Sequence, residues 1–245
     1  MRRTPMSFAV SPPSPRYPDA VVVMVKTPLP GRVKTRLCPP ATPEEAAALY
    51  RAFLVDIGRE LRAWEAPCDR WVAWAGEEPE PPQDLRDALG DGFRWLRQRG
   101  DDLTERMAAV FGELFAAGYR RIVMRNSDSP HLPSHLLQDA LHALRGGVVL
   151  GPDLDGGYYL VGMDVPAKGV FPRTMSHGSV LTQTRTNAEQ AGHAVALLPE
   201  FLDVDTPDDL LTFWNEFGHR ADVQHWATWA FLHDHPLIDR LRSLS

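Results

Sequence analysis

The sequence predicts a single α/β domain, built on a mostly parallel, twisted β-sheet with helices on both faces. Apolar, β-branched segments alternate with segments whose apolar residues recur at helical spacing, which is typical of a parallel sheet covered by helices. The first strand-like segment, residues 21–25, is apolar throughout, as expected of a strand buried on both faces. With 245 residues, 44% of them hydrophobic and 24% charged, the chain has the size and composition of a globular domain.

The first helix is predicted from its end signals as well as its periodicity. It covers residues 42–64, where Thr42 suits the N-cap, Pro43 the first helical position, and Glu44 and Glu45 the first turn. Further strands are expected within residues 70–76, 94–100, 120–130, 146–152 and 156–163. Further helices are expected within residues 77–93, 101–119, 131–144 and 212–245.

The predicted domain spans residues 19–215. Residues 1–18 are rich in Pro and Ser and lack the apolar stretch of a signal peptide, so they are expected to form a flexible tail. Residues 216–245 are expected to form a helical extension. It either caps the domain or makes a homodimer contact, and the sequence leaves both open.

Composition excludes several classes of protein. A formal net charge of -6 argues against a nucleic-acid-binding protein, which usually carries a basic stripe. No apolar run approaches the roughly 18 to 20 residues that span a bilayer, so no membrane span is expected. Cys38 and Cys68 are too few for a disulfide framework, which predicts free thiols and a cytoplasmic location.

A cationic loop follows the first strand. It contains Lys26, Arg32, Lys34 and Arg36, together with two prolines and Gly31. Ligands of open α/β sheets bind at the carboxyl ends of the strands, Gly allows close backbone approach, and Arg holds phosphate oxygens in a fork. We therefore predict a phosphate site, although the Walker spacing is absent. The alternative is an ordinary solvated basic turn.

Three carboxylate-bearing turns follow later segments. Asp128 comes directly after an apolar strand, Asp153 and Asp155 lie in a Gly-rich turn, and Asp203 and Asp205 precede a helix. Mg²⁺ binds one or two protein carboxylates and completes its shell with substrate phosphate and water, so these acids predict a divalent-cation site. Each acid also has a structural alternative, either as a helix cap or as a turn former.

Five ordered motifs carry a family resemblance. They are KTPLPGRVKTRL, GDDLTERM, SDSPHLP, GPDLDGGYYLVG and DVDTPDDL. Over roughly residues 20–215 the chain resembles the DUF2064 family, glycosyltransferase-like proteins of the GT-A, nucleotide-diphospho-sugar transferase superfamily. It is also similar to guanylyltransferases of the deazaflavin-cofactor pathway and to molybdenum-cofactor nucleotidyltransferases. The resemblance implies a GT-A-like fold.

The resemblance also implies roles for individual residues. Together with the loop chemistry, it places the nucleotide-phosphate contacts at Lys26, Gly31, Arg32, Lys34, Arg36 and Arg106. It implies a metal held by Asp128 and Asp205. Asp155, Gly156 and Gly157 would line the acceptor or sugar side.

Two departures from the family pattern concern the acceptor region. The family usually has Gly where this chain has Asn126, and a W-S-T sequence where it has Met175, Ser176 and His177. We assign Ser176 and His177 to the acceptor side, which is therefore the altered part of the site.

These observations predict an enzyme that uses Mg²⁺ or Mn²⁺ and a nucleotide-activated small-molecule substrate. Glycosyl transfer from a nucleotide-diphospho-sugar to a small acceptor is the first expectation, with Asp128 and Asp155 as catalytic residues. The close alternative is a nucleotidyltransferase that joins an NTP to a small phosphorylated acid and releases pyrophosphate. The other is a non-catalytic nucleotide-sugar-binding protein.

Overall fold

The computed structural model describes residues 13–175 and 178–243, which form a seven-stranded sheet with helices on both faces. The strands are β1 (Asp19–Lys26), β2 (Asp69–Ala75), β3 (Arg94–Arg97), β4 (Arg121–Arg125), β5 (Gly147–Pro152), β6 (Tyr158–Met163) and β7 (Ala194–Leu197). The helices are α1 (Pro43–Ala63), α2 (Gln83–Leu89), α3 (Leu103–Ala117), α4 (Ser134–Ala143), α5 (Val180–Gln190), α6 (Pro207–Phe217), α7 (Ala227–Asp234) and α8 (Leu237–Arg242).

The strand order is β3-β2-β1-β4-β6-β5-β7. All pairs are parallel except those made by β6, which runs antiparallel to both β4 and β5. A short turn is enough to reverse the chain between β5 and β6, because antiparallel neighbours need no crossover. The predicted α/β class with a mostly parallel sheet is therefore confirmed. The reversed strand also brings the start of β6 beside the carboxyl end of β4.

Alternate residues of β1 enter different cores, as the period of two in a strand requires. Val21, Val23 and Val25 pack with α1, α2, α4 and the C-terminal helices. Ala20 and Val22 pack with α3 on the opposite face. The uninterrupted apolar run of β1 follows from this burial on both faces.

Helix α5 and strand β7 were not predicted from the sequence. Helix α5 is largely polar and carries few apolar residues at helical spacing. Strand β7 has only four residues, at the edge of the sheet, and each is at least partly exposed. Neither pattern is strong enough to distinguish these elements from a loop.

The C-terminal helices belong to the same core as α1. Leu232 of α7 and Leu237 of α8 are buried with residues of β1 and α1. The Asp56 carboxylate of α1 accepts hydrogen bonds from the backbone N–H groups of Ala227 at 2.7 Å and Thr228 at 2.8 Å. Burial raises the pKa of Asp56. In the described chain this segment covers one side of the domain. A homodimer contact stays a prediction.

The predicted N-terminal tail falls largely on residues 1–12, outside the described residues. Its last residues are bonded at the end of the sheet where β2 and β4 begin: Arg16 N donates to Asp69 Oδ2 at 2.8 Å, and Pro18 O accepts from Arg120 N at 2.7 Å.

Two further expectations concern the two cysteines and the absence of a membrane-spanning segment. Cys38 and Cys68 are free thiols, as predicted. Among the described residues, no helix combines the length and apolarity needed to cross a bilayer.

Candidate active site

Four loop segments meet at one edge of the sheet, where β1 and β4 end and β6 begins. Asn126 N donates to Tyr159 O at 2.9 Å, which joins the turn after β4 to β6. Val204 N donates to Asp128 O at 2.8 Å, which attaches the segment before α6. The predicted cationic loop and carboxylate turns are therefore brought together.

Lys34 lies at the centre of this junction. Its backbone has the left-handed conformation, with φ 48° and ψ 36°, immediately before the 3₁₀ turn Thr35–Leu37. The side chain is only 1% exposed, and its Nζ contacts Asp128 Oδ1. The same ammonium donates to Val204 O at 2.6 Å and lies 3.7 Å from Asp205 Oδ1. It thus bridges the two acids that were predicted to hold a metal.

Arg36 connects the acceptor-side acid to the same cluster. Its NH1 donates to Asp205 Oδ2 at 2.9 Å and lies 3.9 Å from Asp155 Oδ2. The hydrogen bond with Asp205 raises the pKa of Arg36. Lys34 and Arg36 therefore connect Asp128, Asp155 and Asp205, three acids from three different turns.

The turn that carries Asp128 is supported from below by buried groups that the sequence analysis missed. Arg125, 1% exposed, donates through Nε to Asn126 O at 2.9 Å and through NH2 to Ser129 O at 2.5 Å. The Tyr50 hydroxyl of α1 forms a 2.8 Å hydrogen bond with Ser127 Oγ, and burial raises its pKa. A cation at the end of a buried strand was the available sequence signal for Arg125.

Asp153 shapes the Gly-rich turn, which is the turn-forming role given above as the alternative to metal binding. Its Oδ1 accepts hydrogen bonds from the backbone N–H groups of Asp155 at 3.0 Å and Gly157 at 2.7 Å. Gly156 has φ +84°, and a Cβ there would lie 2.2 Å from Gly178 O, so both conformation and space favour glycine. These contacts leave Asp155 projecting toward solvent, with its side chain 57% exposed.

Asp203 lies half-buried beside these acids. Burial is the main reason that its pKa rises to about 7, and the neighbouring carboxylates of Asp153 and Asp128 raise it further. Burial and the neighbouring carboxylates together therefore favour the neutral form of Asp203.

The remaining predicted phosphate-binding cations line a second, adjoining cavity. Its volume is about 800 Å³, and its cationic residues are Lys26, Arg32, Arg97, Arg99 and Arg106. The first cavity, of about 510 Å³, is lined by Lys34, Asp128, Asp153, Gly157 and Asp205. Lys26, Gln98 and Arg106 line both. Arg97 and Arg99 were missed, although their place at the end of a predicted strand was a usable signal.

Gly31 lies at the exposed outer part of the cationic loop. Its φ is +71° and a Cβ there would meet open space, so only its backbone conformation favours glycine. It does not line either described cavity.

The donor set is compatible with a divalent cation that binds together with substrate phosphate. No group of three or more His, Cys, Asp and Glu side chains with metal-binding geometry occurs in the described parts of the chain. Asp128 and Asp205 do converge on one cation, the Lys34 ammonium. Two carboxylates are enough for Mg²⁺, which keeps several waters and binds phosphate oxygens. The residues present therefore fit a substrate-dependent metal site.

The predicted acceptor residues Ser176 and His177 lie outside the described residues. Their neighbours border the site: Met175 lines the first cavity, and Gly178 lies against Gly156.

Comparisons with known proteins identify the family. A family model described as "Uncharacterized protein conserved in bacteria (DUF2064)" matches residues 61–177. A solved structure from Desulfovibrio desulfuricans G20, provisionally described as a nucleotide-diphospho-sugar transferase, is 31% identical. The match has a TM-score of 0.82 and covers 92% of this chain and 98% of that one. No curated protein matches the sequence.

More distant structures share the fold alone. A nucleotidyl transferase from Methanothermobacter has 15% identity and a TM-score of 0.54, covering 81% of this chain and 97% of that one. A cytidylyltransferase from Leptospira borgpetersenii has 12% identity and a TM-score of 0.52, covering 93% and 95%. The predicted nucleotide-diphospho-sugar transferase-like fold is confirmed, and the chain belongs to the DUF2064 family.

Proposed function

We propose that the protein is a metal-dependent transferase that moves a glycosyl group from a nucleotide-diphospho-sugar to a small acceptor. The observation that carries this proposal is the convergence of Lys34, Asp128 and Asp205 in the first, partly apolar cavity, which adjoins the cationic second cavity. The name of the Desulfovibrio relative supports the same class of substrate.

The cationic cavity supplies the diphosphate site. Lys26, Arg32 and Arg106 present positive charge there, and Lys34 extends the charge to the acid cluster. Asp128 and Asp205 would hold Mg²⁺ or Mn²⁺, which neutralises the diphosphate when bound. Fixed charge at the leaving group stabilises negative charge as it develops in the transition state.

The exposed Asp155 carboxylate is suited to accept the proton of the acceptor's hydroxyl group. In the proposed transfer, an acceptor hydroxyl forms a bond to the anomeric carbon as the bond from that carbon to the diphosphate oxygen breaks. The hydroxyl proton passes to Asp155, and the electron pair leaves with the nucleoside diphosphate. Arg36, 3.9 Å from Asp155 Oδ2, positions this carboxylate.

Nucleotidyl transfer is the second candidate, because five cations around the second cavity also suit a triphosphate. The products distinguish the two reactions, since glycosyl transfer releases a nucleoside diphosphate and nucleotidyl transfer releases pyrophosphate.

The test is a panel of nucleotide sugars and NTPs, each with and without Mg²⁺ or Mn²⁺. Thermal shift reports binding, and a ligand at 100 times its Kd should stabilise by about 2.7 kcal/mol. Product release is measured for each ligand that binds. Asp128→Asn is expected to lower turnover by a factor on the order of 100 or more. The exposed Asp91→Asn is the control and should retain the full rate.

Binding without turnover in the wild type would leave a nucleotide-sugar-binding protein instead. Absence of any shift in well-folded protein would contradict both transferase candidates.

A further inference from the structure

The first cavity has a wall of methionines that the proposed transfer does not use. Of the five methionines in the described residues, Met24, Met107, Met124 and Met175 line this cavity. Leu103 and Val161 extend the wall. We call the space bounded by these six residues the methionine chamber.

The chamber is built by strand and helix periodicity. Met124 of β4 pairs with Val22 of β1 and with Val161 of β6, and Met24 follows Val22 by two residues. All of them therefore face the α3 side of the sheet. Leu103 and Met107 are one helical turn apart on α3, so they cover the chamber from above.

The chamber is a ligand space rather than a closed part of the core. Met24 and Met175 are only partly buried, and Leu103 is 47% exposed at the rim. The cavity's volume of about 510 Å³ lies within the range of about 300–1,000 Å³ that is usual for ligand pockets. Lys34, Asp128 and Asp205, which we call the charged cluster, line the same cavity, so an occupant of the chamber shares that cavity with them.

The chemistry of the wall selects the occupant. Its side chains present methyl, methylene and thioether groups, which are at most weak hydrogen-bond acceptors. A nucleobase or a sugar placed against these six side chains would find no strong hydrogen-bond partner among them, and polar edges left unpaired cost binding free energy. Methionine is flexible and polarizable and adapts to apolar shapes. An aliphatic chain or an unsubstituted aromatic ring fits this surface.

We propose that the acceptor substrate is amphipathic, with an apolar body in the methionine chamber and its hydroxyl directed to the charged cluster. This inference rests on the proposed function, because it names the class of acceptor for the same site. It adds a specificity determinant, the methionine wall, that is separate from the cations and carboxylates that act on the nucleotide.

The test uses 4-alkylphenols from methyl to butyl as probes, titrated calorimetrically into the full chain. Each added methylene is expected to lower Kd by about two- to fourfold until the chamber is filled. Leu103→Gln and Met175→Gln should each flatten this dependence. The matched control is Leu197→Gln, because Leu197 is 49% exposed, on the edge strand β7, away from the cavity.

Binding that is independent of alkyl length, or that changes equally in Leu197→Gln, would overturn the inference. Competition by free nucleosides would assign the chamber to the base and would also overturn it. A nucleotide-dependent thermal shift, measured on the same preparation, tests the proposed function independently of binding in the methionine chamber. Alkyl-length dependence without any nucleotide shift would contradict the transferase and leave an apolar-ligand protein, so the two failures are distinguishable.

Discussion

Lys34 combines a left-handed backbone, a buried ammonium and two carboxylate neighbours in one residue. A left-handed non-glycine residue costs roughly 1–2 kcal/mol, and here the contacts of the ammonium offset it. In Lys34→Met, Asp128 and Asp205 lose the cation between them and Val204 O loses its donor. We expect stability to fall by about 1–3 kcal/mol, because a buried acceptor is left unpaired. Urea denaturation measures the change.

The comparison for this variant is Lys168→Met, which removes an exposed lysine from the loop before α5. It should stay within about 0.5 kcal/mol of the wild type. Equal stability of the two variants would show that the Lys34 contacts contribute nothing to the fold.

Asp203 makes the stability of the unliganded protein depend on pH. Its pKa of about 7 lies above the ordinary value of 3.8, so the folded state retains a proton that the unfolded state has lost. The stability associated with that proton is fully present below about pH 4 and is lost as pH rises through 7. Asp203→Asn should therefore be more stable than the wild type at pH 8, by about 1–2 kcal/mol after allowance for solvent screening.

Denaturation midpoints of both proteins between pH 4 and pH 8 check this prediction. The advantage of Asp203→Asn should shrink toward pH 4, and the exposed Asp91→Asn, measured over the same range, is the control. A constant difference across the range would contradict the raised pKa.

At the scale of elements, two helices begin with the same capping box and only one of them serves the site. Thr206 Oγ1 accepts from Asp209 N, and the Asp209 carboxylate accepts from the Thr206 and Asp205 N–H groups. The box therefore orients Asp205 as well as starting α6. In α1, Thr42 and Glu45 form the equivalent box away from the acid cluster.

Thr206→Ala and Thr42→Ala are each expected to lower stability by about 1 kcal/mol, the usual contribution of an N-cap. Only Thr206→Ala should also lower turnover, because only the box at the start of α6 holds the backbone of an acid that faces Lys34. Denaturation and product release, measured on both variants, test the two effects separately. Equal turnover in the two would mean that the box does not position Asp205.

The sequence predicted the elements whose end signals are local and missed those defined by their neighbours. Thr42 and Pro43 identified the start of α1 because capping uses residues close in sequence. Strand β7 becomes a strand only by pairing with β5, and its own four residues carry no alternation in burial strong enough to show it. The reversed direction of β6 likewise depends on a five-residue turn, whose length does not by itself fix the strand order.

At the scale of the whole molecule, the ordered motifs predicted the fold, whereas part of the site could not be predicted from them. The loops were correctly expected to converge because parallel strands bring their carboxyl ends to one edge. Arg125 and Tyr50 support the Asp128 turn through contacts between residues far apart in sequence, which no local pattern records. The methionine wall was missed for the same reason, since its members come from three strands, a helix and a loop.

The C-terminal segment is expected to be required for stability, although residues 216–245 were predicted as an extension. Its leucines complete the core that contains β1, and Asp56 accepts from the first backbone N–H groups of α7. A chain ending at residue 218 should lose several kcal/mol and bind a hydrophobic dye such as ANS, because α1 is then uncovered. Denaturation of the truncated and full chains checks this. Cooperative unfolding of the shorter chain at the wild-type midpoint would contradict it.

The reversed strand β6 has a consequence for how such a protein diversifies. Strands β1 to β4 form one side of the sheet from residues 19–125, and β5 to β7 form the other from residues 147–197, joined in the sheet by the β4–β6 pair. Each half is thus encoded by one uninterrupted stretch of gene. A single recombination in the α4 region would exchange the half with the Gly-rich turn, Met175 and Asp205 and leave the cationic loop and Asp128 in place, so the acid cluster and the methionine chamber would each be assembled from two parental genes.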